Sequence, residues 1–258
     1  MHSSLITALL CTVTVTVAGA QDFNWKGRIA SGKRLEVKGV NGDVRAVAAS
    51  GGEAIVTAAK HAHRSDPDEV EIRVVEHEDG VTICAVYPTP RHARRENSCE
   101  PGDRWHSSTE DNDVTVDFEV QVPAGVQFTG STVNGEMSVE GMKADVKAST
   151  VNGSVRVTTT GLAEASTVNG SVYVEMGRAN WTDDLEFSTV NGRITLLLPD
   201  KLDTEVRAST VNGEIESDYP LTISGRFGPR RLRGTIGNGG RTLNLSTVNG
   251  EIRLKKST

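Results

Sequence analysis

From residue 123 onward, hydrophobic and polar positions alternate in short runs that all break at the same polar corner. Val146 and Ala148, Leu185 and Phe187, or Val206 and Ala208 lead into it; Val155 and Val157, Val172 and Val174, Ile194 and Leu196, or Ile252 and Leu254 follow. A period of two bounded by Asn-Gly predicts strand, turn, strand. The corner is the pentapeptide Ser-Thr-Val-Asn-Gly, present six times without change. Its asparagines are Asn134, Asn152, Asn169, Asn191, Asn212 and Asn249, spaced by 18, 17, 22, 21 and 37 residues, and its glycines are Gly135, Gly153, Gly170, Gly192, Gly213 and Gly250. Asn41-Gly42 is an earlier relative, and Asn238-Gly239 falls in the widest gap as a degenerate copy.

Two architectures fit this pattern. Asn-Gly between alternating strands is the strongest short hairpin signal, which would give an antiparallel meander or barrel. A hairpin gives no reason to keep Ser-Thr-Val ahead of the turn. Parallel stacking does, because each position then faces its own copy about 4.8 Å away and polar side chains can form ladders. Glycine after asparagine suits a corner that needs unusual backbone angles. In-register identity therefore favours an all-β fold with a parallel β-solenoid of about 17–22-residue coils. Strict alternation turns Thr150 inward and Ser149 and Val151 outward; a bend before the turn would bring Val151 in, so the orientation stays open. Asn249, in the last copy, is expected to be the terminal rung, and Lys255-Lys256 to discourage pairing at that edge.

The period fails between residues 43 and 122. Ala54 to Ala59 reads as a strand, and Val70 to Val75 with Val81 to Val86 as a hairpin. Val114, Val116, Phe118, Val120 and Val122 alternate with polar residues, as in a strand with one wet face. These strands suit an antiparallel cap, since an open solenoid end exposes unpaired strand edges. The organisation expected is a signal segment at 1–20, an N-terminal β region at 21–122 and the repeat solenoid at 123–258. Loop 88–113, polar and without periodicity, is long enough to be functional or disordered.

Leu5 to Val17 is apolar apart from threonines, and Ala18-Gly19-Ala20 offers small residues for cleavage, although Met1-His2-Ser3-Ser4 has no Lys or Arg. The segment reads as a Sec-type secretory signal, too short to span a bilayer. A lipid-modified Cys11 is disfavoured by the bulky Leu10 before it. No later stretch is long and apolar enough to form a transmembrane segment. Export places the product in the periplasm, on the cell surface or outside the cell. It also makes Cys84 and Cys99 a disulfide candidate, closing a loop of about fifteen residues worth roughly 3 kcal/mol; two free thiols are the alternative.

The run of STVNG followed by Glu, Ser or Arg and then Ile, Val or Met resembles a bacterial family of exported β-strand-repeat proteins regarded as adhesin-like. That family is a domain of unknown function, related to the head domains of auto-transporter adhesins. Gly234 to Gly240 and Leu243 to Leu254 are similar to that family's usual ending, and Val122-Pro123-Ala124-Gly125 to a segment ahead of its repeats. The resemblance spans roughly residues 33 to 256. It implies the fold and supplies no catalytic residues.

A net charge of −6 argues against nucleic-acid binding, which needs a surplus of cations to displace counterions. Glycines number 26 while aromatics make up 4% of the chain, which suits tight turns around a thin aliphatic core. Candidate chemistry is sparse. His61 and His63, with His77, His92 and His106, lack recognisable metal-ligand spacing, and solvated histidines are the simpler reading. Glu110-Asp111-Asn112-Asp113 lacks the loop glycine and distal glutamate of a calcium loop and reads as a turn. Asp183, Asp184 and Glu186 occupy an enlarged repeat, where paired carboxylates could hydrolyse a polysaccharide. No second acidic cluster recurs beside them, so a solvated loop is preferred. Arg226, Arg230, Arg231 and Arg233 could meet an anionic partner or simply be solvated. No cofactor and no metal is implied. The reading is a non-enzymatic, adhesin-like or envelope-associated solenoid whose repetitive polar face binds an envelope glycan or another envelope component. A carbohydrate-active enzyme and a structural or stress-related envelope protein without a ligand are the alternatives.

Overall fold

The computed structural model describes residues 23–223 and 230–257. The signal segment, Cys11 and Arg226 lie outside the described residues. The chain is all-β, its only helical pieces among the described residues being the 3-10 turns Pro67–Glu69 and Gly102–Arg104. The first strands are β1 (Phe23–Gly27), β2 (Arg34–Lys38), β3 (Val44–Ala48), β4 (Ala54–His61), β5 (Glu71–His77), β6 (Gly80–Val86) and β7 (Thr115–Val122). The repeats supply β8 (Gln127–Ser131), β9 (Met137–Met142), β10 (Val146–Ser149), β11 (Val155–Thr159), β12 (Ala163–Ser166), β13 (Val172–Met176), β14 (Leu185–Ser188) and β15 (Ile194–Leu198). Last come β16 (Thr204–Ser209), β17 (Ile215–Ser217), β18 (Thr222–Ile223), β19 (Arg231–Ile236), β20 (Thr242–Ser246) and β21 (Ile252–Lys256).

These strands form two large, mostly parallel sheets. Sheet I runs β1-β4-β7-β3-β9-β11-β13-β15-β21-β17, and sheet II runs β5-β6-β2-β8-β10-β12-β14-β20-β16-β19-β18. Each pentapeptide carries the chain from sheet II to sheet I, so a rung pairs one strand of each. Alternation then turns every second side chain inward. Val146, Ala148, Val155 and Val157 of one rung, and Leu185, Phe187, Ile194 and Leu196 of another, are all buried in one continuous core. Burying such a side chain is worth about 1.5–3 kcal/mol relative to leaving it exposed, so a few aliphatics per rung suffice where identical rungs stack.

The corners are held by three columns. Threonine points inward: Thr150, Thr167 and Thr189 are buried and donate to the carbonyls of Gly135, Gly153 and Gly170 at 2.9, 2.8 and 2.8 Å. Glycine allows that approach, for a Cβ added at Gly192 would stand 1.9 Å from the Gly170 carbonyl oxygen. Asparagine forms a one-way relay. Asn212 Nδ2 donates to Asn249 Oδ1, Asn249 to Asn191, Asn191 to Asn169, Asn169 to Asn152, Asn152 to Asn134 and Asn134 to Asn41, all at 2.7–2.8 Å. Asn41 closes the relay on the Val114 carbonyl at 3.5 Å.

The order of rungs corrects three expectations. Asn249 is interior, bridged to Asn191 on one side and Asn212 on the other. After β15 the chain skips one slot, builds β16 and β17 beyond it, and returns to fill the gap with β20 and β21. Asn238-Gly239 is no rung: it turns between β19 and β20, its Asn238 N–H donating to Asp203 Oδ1 at 2.7 Å. Lys256 does not guard an edge either, since β21 lies between β15 and β17 and Lys256 pairs with Asp200 at 2.7 Å. The first repeat behaves alike. β2 lies between β6 and β8, and β3 between β7 and β9, because residues 49–122 pass outward and come back. Antiparallel strands lie outside β6, β7 and β16, namely β5, β4 with β1, and β19 with β18.

The relay's direction sets what it tolerates. Asp at position 169 or 249 removes a donor and faces its carboxylate against a neighbour's carbonyl, whereas Asp at 41 keeps the acceptor that Asn134 uses. Asn169→Asp and Asn249→Asp are each expected to cost about 1 kcal/mol, and Asn41→Asp clearly less, as read from urea unfolding midpoints.

Candidate functional site

Outside the threonines, each corner presents Ser, Val and Asn to solvent. Ser131, Ser149, Ser166, Ser188, Ser246 and Ser209 follow one another in register along sheet II. All are partly or fully exposed, and none of their hydroxyls has a hydrogen-bond partner among the described residues. Beside them run the valines, with Val151, Val168, Val190 and Val248 at 38–39% exposure and Val211 at 54%, the last being the most exposed large hydrophobic of the described residues. The Asn relay completes the ridge. A row of free hydroxyls, a row of methyls and a row of amides thus repeat at strand spacing along one corner.

Loop 88–113 is folded down over sheet II. Cys84 and Cys99 form a disulfide with Cα atoms 5.6 Å apart. Buried Asn97 donates to the Tyr87 and Ser108 carbonyls at 3.0 and 2.8 Å and accepts from the Ser108 N–H at 2.8 Å. The loop covers two charges that alternation in β2 places on the outer face. Glu36 and Lys38 are 4% and 3% exposed and lie 3.3 Å apart. Glu36 Oε2 accepts from Thr82 Oγ1 at 2.8 Å and the Gly102 N–H at 3.1 Å. Lys38 Nζ donates to the carbonyls of Glu100 and Gly102 and sits 5.8 Å from the centre of the Trp105 ring. Every charge in this cluster is therefore answered by a partner, as burial demands. Nothing in the local sequence of β2 signals it.

The other candidates are dispersed. His61, His63 and His92 are exposed, His77 Nε2 lies 3.0 Å from Thr82 Oγ1, and among the described residues no group of three or more His, Cys, Asp or Glu could hold a metal ion. In the acidic turn, Asp113 accepts the Ser65 N–H at 2.9 Å and one from Arg64 at 3.1 Å. Those bonds, the Ser65 one foremost, hold its carboxyl down at about 2. Because this folded pKa lies below the ordinary 3.8, the tether is intact above that value and is lost as pH falls through about 2. Asp184 Oδ1 accepts the Thr242 N–H at 2.9 Å, Asp183 accepts from Thr182 Oγ1, and Glu186 points outward. Asp183 and Asp184 line a shallow groove of about 450 Å³ on sheet II, with Arg34, Lys147, Glu164 and Trp181. Trp181 is 9% exposed, and its indole N–H is buried without a hydrogen-bond partner. Arg230, Arg231 and Arg233 are exposed on and before β19.

Stacked parallel rungs with a repeated corner define the molecule as a β-solenoid-like repeat protein. The chain belongs to the Toastrack DUF4097 family, whose model matches residues 103–255. It is similar in structure to a candidate cell adhesion protein from Clostridium sporogenes ATCC 15579, with TM-score 0.47 and 11% identity over 91% of this chain and 99% of that one. A candidate adhesin from Bacteroides fragilis NCTC 9343 gives TM-score 0.37 and 10% identity over 91% and 96%. No protein among the curated ones matches. No helix among the described residues is long and apolar enough to cross a membrane.

The buried pair makes a checkable statement. Removing one charge strands the other, so Lys38→Met is expected to cost about 3 kcal/mol. Adding Glu36→Gln to it should recover part of that loss, as measured by chemical unfolding with the disulfide intact.

Proposed function

We propose that this is a non-enzymatic, adhesin-like protein, exported through its N-terminal signal, which binds an envelope glycan or another envelope component along the Ser-Val-Asn ridge. The observation that carries the proposal is the row of six in-register serine hydroxyls, which have no hydrogen-bond partners among the described residues. Each hydroxyl can donate one hydrogen bond and accept two, and it stands beside an exposed valine methyl. That pairing of polar and apolar contact suits the hydroxyl and C–H faces of a saccharide. A single such contact is weak; repetition at strand spacing converts later contacts into intramolecular ones and raises avidity without new chemistry. In this reading each rung is a solenoid coil of 17–22 residues, residues 123–258 form the binding solenoid, and the antiparallel strands of residues 21–122 cap it. The Cys84–Cys99 disulfide supports an oxidising compartment, since such bonds persist outside the reducing cytosol. A catalytic role has less support, because Asp184 is committed to the backbone of β20.

The test is co-sedimentation of the purified protein with isolated cell envelopes and insoluble polysaccharides, with released sugar assayed in the supernatant. Saturable retention is expected, without sugar release. Replacing Ser149, Ser166, Ser188 and Ser246 together by alanine should weaken retention by about tenfold or more while leaving the unfolding midpoint nearly unchanged. Unchanged retention in that variant overturns the ridge. Sugar release abolished by Asp184→Asn would establish an enzyme instead, and no retention on any material would leave a structural role.

A further inference from the structure

Strand register brings together two arginines that lie far apart in sequence. β16 pairs antiparallel with β19 so that Arg207 stands directly opposite Arg233, with Ser209 opposite Arg231. Arg207, Arg231 and Arg233 are exposed on the outer face of sheet II, the exposed Arg230 immediately precedes β19, and none of the four has an ion-pair partner among the described residues. Elsewhere the sheets avoid this arrangement. Where charged residues are paired in register among the described strands, Arg45 faces Glu119, Lys147 faces Glu164 and Glu216 faces Arg253. Lys147 and Glu164 lie 3.5 Å apart, and Arg253 and Glu216 3.2 Å. Like charges directly opposite one another destabilise a sheet, so the Arg207–Arg233 pair opposes the stability of the fold.

We infer that the Arg207–Arg233 pair, with Arg231 beside it, is a binding site for the phosphomonoester of a phosphorylated glycan. Guanidinium forks match phosphate oxygens bidentately. A phosphomonoester carries a charge of roughly −1.5 to −2 at neutral pH, which two facing guanidiniums neutralise together. The neighbours suit a sugar rather than an anionic bilayer. Asn244 lies next to Arg207 in register, and among the described residues neither its amide nor the hydroxyl of Ser209 has a hydrogen-bond partner. Glu205 flanks Arg207 two positions along β16, and Glu186 lies beyond Asn244 on β14. These carboxylates, on a chain of net charge −6, repel an extended anionic surface and leave room for one anionic group. The site sits at the end of the serine ridge and does not depend on that ridge binding anything.

The test is an NMR titration reading the backbone amide signals of β16 and β19, which every variant keeps, with glucose 6-phosphate, with glucose, and with phosphatidylglycerol vesicles. Saturating shifts with glucose 6-phosphate, none with glucose, and at least about a tenfold loss of affinity in the Arg207→Gln, Arg233→Gln double variant are expected. Equal shifts in the double variant, or no shift in the wild-type protein, overturn the assignment. Vesicle binding that the double variant abolishes, without a response to the sugar phosphate, assigns the patch to a membrane surface instead. Arg233→Glu separates a binding role from a structural one: it should raise the thermal unfolding midpoint while abolishing the titration. A lowered midpoint would make the pair a packing element and sink the proposal.

Discussion

Backbone contact at the glycine of each corner is the constraint on which the molecule depends. A carbonyl of one rung sits where the next rung's glycine would carry a side chain, and a buried threonine hydroxyl approaches the same carbonyl from within. Serine in place of that threonine could still donate, but it would leave a methyl-sized gap; valine would fill the space and leave the carbonyl short of one bond. Alanine at the glycine would push the rungs apart. Each residue type follows from the position it occupies, and the neighbours of that position are copies of itself. The threonine and the glycine recur at every full corner because one substitution at either strains two interfaces at once.

The outward face follows from the same geometry. With threonine committed to the core, serine and valine on either side have only solvent or a partner to meet. The asparagine amides spend one donor and one acceptor on each other and keep the rest. A surface dense in unsatisfied hydroxyls, amides and methyls results from how the rungs are held, and it is as regular as they are.

Much of this was legible in the sequence, for local reasons. Alternation around Asn-Gly identifies the strands, the repeated Ser-Thr-Val argues for parallel stacking, and Glu78-Asp79-Gly80 marks the turn between β5 and β6. The order of the rungs was not legible, because every copy carries the same corner and identical corners accept any neighbour. What decides it is the link from β15 to β16 and the return through β19, which the pentapeptide does not encode. Asn238-Gly239 misled for a related reason: the dipeptide is there, but it joins β19 to β20 within sheet II and does not carry the chain from sheet II to sheet I. The burial of Glu36 and Lys38 was not legible, because the loop that covers them comes more than sixty residues later. Arg207 showed no sign of its role until register placed it opposite Arg233.

The slot between β14–β15 and β16–β17 has a consequence for how the molecule comes into being. From β8 to β15 each rung stacks on the one before it in the chain, and there the simple growth of the pile ends. The next strands, β16 and β17, join the pile only through β20 and β21, which follow them in the chain. Until then each growing sheet ends in an open edge, and the segment from β16 to β19 has only its own antiparallel contacts to hold it. Completion is then a single zippering event in which the last strands gain neighbours on both sides. A chain cut short of β20 would therefore lack the piece that joins its two parts.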